Sequence, residues 1–351
     1  MTIAVLGYYL VMKILYSIIA SFLLLVSCQY DGHKVPSIAA ELLGLSDLQN
    51  PVQTFEISPR SDTLITGIHG TKVYIKANSL LFEDGEPVAS PVILHLKEVY
   101  SLSDMILNGL STTSDGGLLQ TSGMIHLTAS SHGKEVELDP KRPVKIHFNK
   151  ITEAHPMRTY LGKKDSTVIN WELDTANRAD TLFFSTSVVS SVMLSYGQDT
   201  AVMDSLIYGI VARDTFLMDL VRPVLPAPMD FYELHTTKLG WINCDFFIFS
   251  KDNLNLYIEG ANPITTHNYL VFKNYRSIMP GWEMEAGKMV FRNIPADSEV
   301  IVFSVKKIDK DYFLASKTLV ANKHQLSVNL KYRASSLSEI EKELKKIEES
   351  I

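Results

Sequence analysis

Cysteine is nearly absent from this chain: Cys28 and Cys244 are its two copies in 351 residues. Two thiols cannot build a disulfide framework, and they exclude four-cysteine zinc sites. The catalytic signatures are missing as well. No H-E-x-x-H pair occurs, and the ten histidines are scattered without close metal-ligand spacing. Gly116-Gly117 and Gly123 are not followed by the Lys-Ser/Thr of a phosphate loop. Asp62, Asp84 and Asp115 lie in turn-like stretches without the alternating acids of a Ca²⁺ loop. The sequence therefore gives no reason to expect a cofactor, a metal or a catalytic residue, and no enzyme activity is expected. Positive charge does not dominate either: 33 Lys and Arg face 39 Asp and Glu, a formal net charge of −6. That balance provides no electrostatic footprint for nucleic acid.

What the chain does have begins at its start. Met12-Lys13 precedes an apolar run, Ile14 to Val26, which ends at Ser27-Cys28. A positive residue, about a dozen apolar residues and a small residue before the cut describe a secretory signal peptide, and Met12 is the expected start. Between Thr2 and Ser27 only Lys13 is charged, so the length would also span a bilayer. The Cys at its end and the lack of a basic stop-transfer cluster favour the signal.

The residues Leu25-Val26-Ser27-Cys28 resemble the lipobox of bacterial lipoproteins. In that family the Cys sulfur takes a diacylglycerol and the peptide is cut just before it. The resemblance implies that residues 1–27 are a signal and that Cys28 is the lipidation site. Stable anchoring takes more than one acyl chain, a condition a lipoprotein Cys meets. Gln29 is not an inner-membrane retention signal, so the implied location is the outer membrane, on either side.

Beyond the anchor, residues 28–50 read as a tether, with a short amphipathic helix possible from Ile38 to Leu48. Hydrophobic residues at 46% and charged residues at 21% can build a packed core. From Phe55 apolar residues recur at every second position: Val73, Ile75 and Ala77; Val92, Leu94 and Leu96; Ile125, Leu127 and Ala129; Val144, Ile146 and Phe148. Each run predicts a strand with one face in a core. Asp84-Gly85-Glu86-Pro87, Asp115-Gly116-Gly117 and His132-Gly133 supply turns between them. Ser101 to Asn108 predicts one or two helical turns. The fold class expected is mainly β: two antiparallel β-sandwich domains, at 51–150 and 236–335, around a middle β-rich segment at 151–235. The second sandwich is expected to be Ig-like, with strands such as Leu254–Ile258, Val300–Val305 and Leu326–Tyr332. Residues 336–351 close the chain with a short amphipathic helix. Its apolar stripe is Leu337, Ile340, Leu344, Ile347 and Ile351, behind a Ser336/Glu339 capping box. This stripe is expected to pack on the protein's own body.

Phe55 to Pro59, Ile65-Thr66-Gly67-Ile68-His69-Gly70-Thr71-Lys72-Val73-Tyr74-Ile75, Ala77 to Leu80 and Pro91 to Glu98 resemble the opening of a ZU5-like β-domain. Leu110 to Gly116, Gly123-Met124 and Lys238 to Asp245 are similar to segments of uncharacterised bacterial envelope lipoproteins. ZU5 domains of animal proteins are interaction modules, so the resemblance implies binding, by analogy of fold. Some ZU5-containing proteins cleave themselves at His-Phe-Ser. This chain has His147-Phe148-Asn149, which lacks the attacking hydroxyl.

Three sets of residues remain as candidates for chemistry. Cys244, with His235 near and Asp245 adjacent, has the residue types of a nucleophile. The neighbouring acid opposes a thiolate, and a buried structural Cys is expected. His95, His126 and His147 fall on the outer faces of strands, where they can meet on one sheet or stay solvated. Trp171, Trp241 and Trp282 can stack a sugar on an exposed face, against a default of core packing. The function expected is a lipid-anchored outer-membrane binding or scaffold protein with an envelope protein partner. The alternatives are a glycan-binding surface lipoprotein and an envelope hydrolase.

Overall fold

The computed structural model describes residues 43–151, 157–165, 168–175, 231–324 and 326–351. The expected signal, Cys28, most of the tether and much of the middle segment lie outside these residues. Among the described residues no helix is long and apolar enough to cross a membrane.

The first half contains β1 (Gln53–Ile57), β2 (Thr63–Thr66), β3 (Lys72–Ile75), β4 (Leu80–Phe82), β5 (Val92–Val99), helix α1 (Leu102–Leu107), β6 (Thr113–Ser114), β7 (Gly117–Ser131), β8 (Lys134–Leu138) and β9 (Val144–Asn149). Next come β10 (Arg158–Asp165), β11 (Val168–Leu173), β12 (Phe231–Thr236) and β13 (Gly240–Ile248). The remainder holds β14 (Asn253–Glu259), β15 (Thr266–Phe272), β16 (Ser277–Pro280), β17 (Glu283–Glu285), β18 (Lys288–Pro295), β19 (Ser298–Ile308), β20 (Asp311–Ala321), β21 (Ser327–Asn329), β22 (Arg333–Ser335) and helix α2 (Leu337–Glu349).

These strands form four sheets arranged as two sandwiches. A nine-stranded sheet runs β1-β5-β7-β13-β10-β11, with β4, β6 and β8 at its margins, and faces a four-stranded sheet, β12-β9-β3-β2. Between them lie Val73, Leu94, Leu96, Ile125, Leu127, Ile146 and Phe148, the inward residues of the alternating runs. The second sandwich sets β17-β18-β14-β21 against β16-β15-β19-β20-β22. Leu256, Ile258, Leu270, Phe272, Phe291, Val300 and Val302 fill its interior. The pairing is antiparallel throughout except between β14 and β21, which run parallel.

The sheets do not change at residues 150 and 236, where the sequence placed boundaries. Strand β12 pairs with β9, and β13 lies between β7 and β10 in the middle of the first sheet. The first sandwich therefore continues to Ile248, and the second begins at Asn253. Buried on both faces for part of its length, β13 (GWINCDFFI) carries no alternation that could have announced its sheet.

A third apolar cluster joins the sandwiches. Leu102, Met105 and Ile106 of α1, Met124, Trp171, Tyr269, Phe303 and Leu314 pack with Ile340, Leu344 and Ile347 of α2. Helix α2 opens on the expected capping box and buries three residues of its stripe, while Ile351 stays exposed. Burying such side chains contributes about 1.5–3 kcal/mol each. Polar bonds complete the joint. Glu348 accepts from the Leu102 amide at 2.7 Å, near the start of α1, and pairs with Arg276 of the second sandwich at 3.1 Å. Thr112 exchanges bonds with Ile278: its amide donates to the Ile278 carbonyl at 3.0 Å, and the Ile278 amide donates to its hydroxyl at 2.8 Å. Before β1, Ser46–Leu48 is a single 3₁₀ turn, and the Leu43 carbonyl accepts from Tyr312 at 2.8 Å.

Candidate functional site

Each sequence-nominated residue within the described range has a definite place. Trp171 is fully buried, and its indole donates to the Ser111 carbonyl at 2.6 Å. It belongs to the core and has no face to offer a ligand, which corrects the stacking role considered for it. Trp241 is half-buried on β13 beside His126, with ring centroids 4.8 Å apart. Trp282 is half-buried just after β16, in the other sandwich. With Trp171 buried, the three indoles do not form one exposed face.

Cys244 is buried among the apolar residues of the first sandwich, beside a bulge at Cys244/Asp245. Burial first, and then the neighbouring Asp245, push its thiol well above the ordinary value. A thiol held protonated is a poor nucleophile. Asp245 is itself fully buried, and burial raises its carboxyl well above the usual range despite hydrogen bonds that oppose the rise. One carboxyl oxygen accepts from Asn243 at 2.5 Å, whereas Oδ1 has no partner among the described residues.

His95 and His126 lie on β5 and β7 of the nine-stranded sheet, while His147 lies on β9 of the other sheet, so the three do not meet. His147 instead stacks on Phe231, with centroids 4.1 Å apart and planes 14° from parallel. Its Nε2 lies 2.8 Å from Glu233, which Lys145 approaches at 3.3 Å and His235 at 3.8 Å. Burial alone would raise the Glu233 carboxyl. The hydrogen bonds from His147 and Lys145 outweigh it and leave the group below its ordinary value. Burial and nearby Lys97 lower His126.

A second buried carboxylate organises the turn between β2 and β3. Glu98 accepts from the amides of His69 and Thr71, both at 3.0 Å, and from the Gln53 side chain at 2.8 Å. A Cβ on Gly67 would strike the Glu98 carboxyl, so the glycine lets the turn close over it. Nearby, the Tyr100 hydroxyl lies 2.7 Å from that of Thr71, and burial raises it far above the ordinary range. These groups hold backbone in place: Glu98 accepts from two amides of the turn, and the Tyr100 hydroxyl accepts from the Asn149 amide at 3.3 Å.

The feature with the form of a binding site lies where the sandwiches meet. A cleft of about 370 Å³ is lined by Asp115 and Gly116 of the β6–β7 turn, Gly117 and Leu118 at the start of β7, Phe247 and Ile248 at the end of β13, Phe249 and Ser250 just after it, and Asn253, Asn293 and Pro295. Its volume falls within the range of small-molecule sites, roughly 300–1,000 Å³. Phe249 is 61% exposed, and its ring lies 4.8 Å from that of Phe247. A side chain on Gly117 would collide with Phe247, so the glycine leaves room for that ring. Asp115 and Asn293 both adopt left-handed backbone, at φ 47° and 56°. Asp115 is fixed by Asn170, its amide and Oδ1 each bonding the Asn170 side chain at 3.1 Å. The Asn293 amide reaches the Gly116 carbonyl at 3.3 Å and so ties the two walls together.

From the sequence, Asp115 to Gly117 reads as a turn once the phosphate-loop and Ca²⁺-loop patterns are set aside, and Phe247, Phe249, Asn253 and Asn293 carry no signal of a binding site. An exposed Phe looks like core in a sequence, and no spacing signals walls that come from different sandwiches. Among the described residues no group of three or more His, Cys, Asp or Glu is arranged to hold a metal ion. Comparison with protein-family models, with curated proteins and with solved structures finds no match to this chain.

Proposed function

We propose that the chain is a lipid-anchored outer-membrane lipoprotein that works by binding, as a scaffold or as the partner of another envelope component, and not by catalysis. The lipobox-like Leu25-Val26-Ser27-Cys28 supports the anchor, with the membrane held through lipidated Cys28. The ZU5-like reading of the first sandwich supports an interaction role in the same way. The observation that carries the binding reading is the joint. Two sandwiches share one buried core, so surfaces from both are held in fixed relation, with a cleft between them. Rigid walls lower the ordering cost of binding. The residues nominated for chemistry are engaged within the fold: the Cys244 thiol is buried, and His147 stacks on Phe231 and bonds Glu233.

The test uses the full chain and Cys28→Ala expressed in the native envelope, followed by membrane fractionation and affinity capture with mass spectrometry. The expected result is that Cys28→Ala leaves the outer-membrane fraction and loses a stoichiometric protein partner. Equal membrane association of both chains overturns the anchor. Turnover of a peptide or glycan panel by the purified chain overturns the non-catalytic reading.

A further inference from the structure

We infer that the cleft between the sandwiches is a carbohydrate site that takes a neutral sugar, with Phe249 as its stacking platform. This deepens the binding reading and rests on it. The lining selects the class of ligand. Among the described residues Asp115 is the one charged side chain along the wall and no Lys or Arg lines it, so this lining offers phosphate, sulfate and carboxylate ligands nothing to neutralise them. A purely apolar ligand is equally unsuited, because exposed Asn253, Asn293 and Asp115 would lose water without regaining hydrogen bonds.

A sugar ring answers both demands. One of its faces is a patch of C–H groups, which lies against an aromatic ring, and its edge is a row of hydroxyls. Phe249 offers such a ring to solvent and is braced by Phe247, which is seated over Gly117. Asn293 and Asp115 line the same cleft, Asn293 held by its bond to the Gly116 carbonyl and Asp115 by its two bonds to the Asn170 side chain. The Asp115 bond uses Oδ1, which leaves Oδ2 to accept from a hydroxyl. The Asn253 amide adds a donor and an acceptor in one plane, the pattern that meets two neighbouring hydroxyls. These groups come from the β6–β7 turn, the end of β13 and the second sandwich, so the site exists only when the two sandwiches are joined.

The experiment is isothermal titration calorimetry of the full chain, held in a detergent without a sugar headgroup. The probes are neutral tetrasaccharides of glucose, mannose, galactose and N-acetylglucosamine. At least one is expected to bind. Phe249→Ala is expected to weaken it about tenfold, the worth of one aromatic stacking contact, and Asn253→Ala to weaken it as well. Both positions are exposed, so the unfolding midpoint should not move. Trp282→Ala should bind as the wild type does. Binding by no member of the panel, or undiminished binding by Phe249→Ala, overturns the inference. Preferential binding of unstructured peptides to the cleft does so too. A negative panel beside intact Cys28-dependent partner capture removes the sugar site alone, whereas loss of that capture removes the reading beneath it.

Discussion

Asp245 makes the stability of this protein depend on pH in an unusual direction. The carboxyl is fully buried, accepts one hydrogen bond from Asn243, and leaves Oδ1 without a partner among the described residues. Burial raises its titration well above the ordinary value of 3.8. In the unfolded chain it ionises near that ordinary value. Above it, the native state holds a proton that the unfolded state has released. Stability from this group is thus present at low pH and falls as pH rises toward the folded-state titration. The slope is about 1.4 kcal/mol for each pH unit over which the two states differ by one proton. Replacing Asp245 with Asn removes the titration and keeps an acceptor for Asn243. Denaturant unfolding of both chains at intervals from pH 4.5 to 8 isolates the effect, because every other group is common to both. Asp245→Asn is expected to gain on the wild type steadily with pH and to be the more stable chain at the alkaline end. A constant difference between the two stability curves would refute the reasoning, since it would mean that Asp245 titrates alike in the folded and unfolded chains.

Three further outcomes follow from the packing. Leu344→Ala removes a fully seated residue of α2 from the shared core and should cost about 2–5 kcal/mol in denaturant unfolding; a loss under 1 kcal/mol would mean that the helix is not part of the core. Gly67→Ala drives a methyl into the Glu98 carboxyl and should destabilise by about 1–3 kcal/mol, while Gly85→Ala, with nothing near its Cβ, tests the cost of left-handed backbone alone. Glu233, held below its ordinary value of 4.5, contributes stability that is present above that pH and lost as pH falls through its folded-state titration. Because Glu233 is partly exposed, Glu233→Gln should flatten the acid limb of the stability curve by no more than about 1 kcal/mol, and an unchanged limb would show the His147 and Lys145 bonds to be idle.

The strands legible in the sequence were those with one wet face. In β3, β5 and β9 the residues named as inward are buried and those between them are not fully buried, because a period of two survives wherever one side meets water. The α2 stripe and its capping box were legible for the same local reason. The partner of each strand was not. Pairing between β9 and β12 or between β7 and β13 is decided by which edges meet in space, and nothing in the Lys238–Asp245 stretch points back to Ile125. Trp171 and Phe249 illustrate the limit for a site. One aromatic is fully buried and the other largely exposed, yet each sits in an apolar stretch that reads as core.

The insertion of β13 between β7 and β10 has a consequence for the making of the protein. Ile125 cannot meet Ile242 until the chain as far as β13 has emerged and travelled. A ribosome or a translocon delivers β7 long before then, as the edge of an unfinished sheet with unpaired amides and carbonyls exposed. Contacts so distant along the chain form slowly, because the closure entropy comes before the reward. The order of delivery thus sets an interval in which the sheet's future centre is its most adhesive border, and a chaperone that shields strand edges would act on it there. A fragment ending at residue 150 would keep that border permanently and should aggregate.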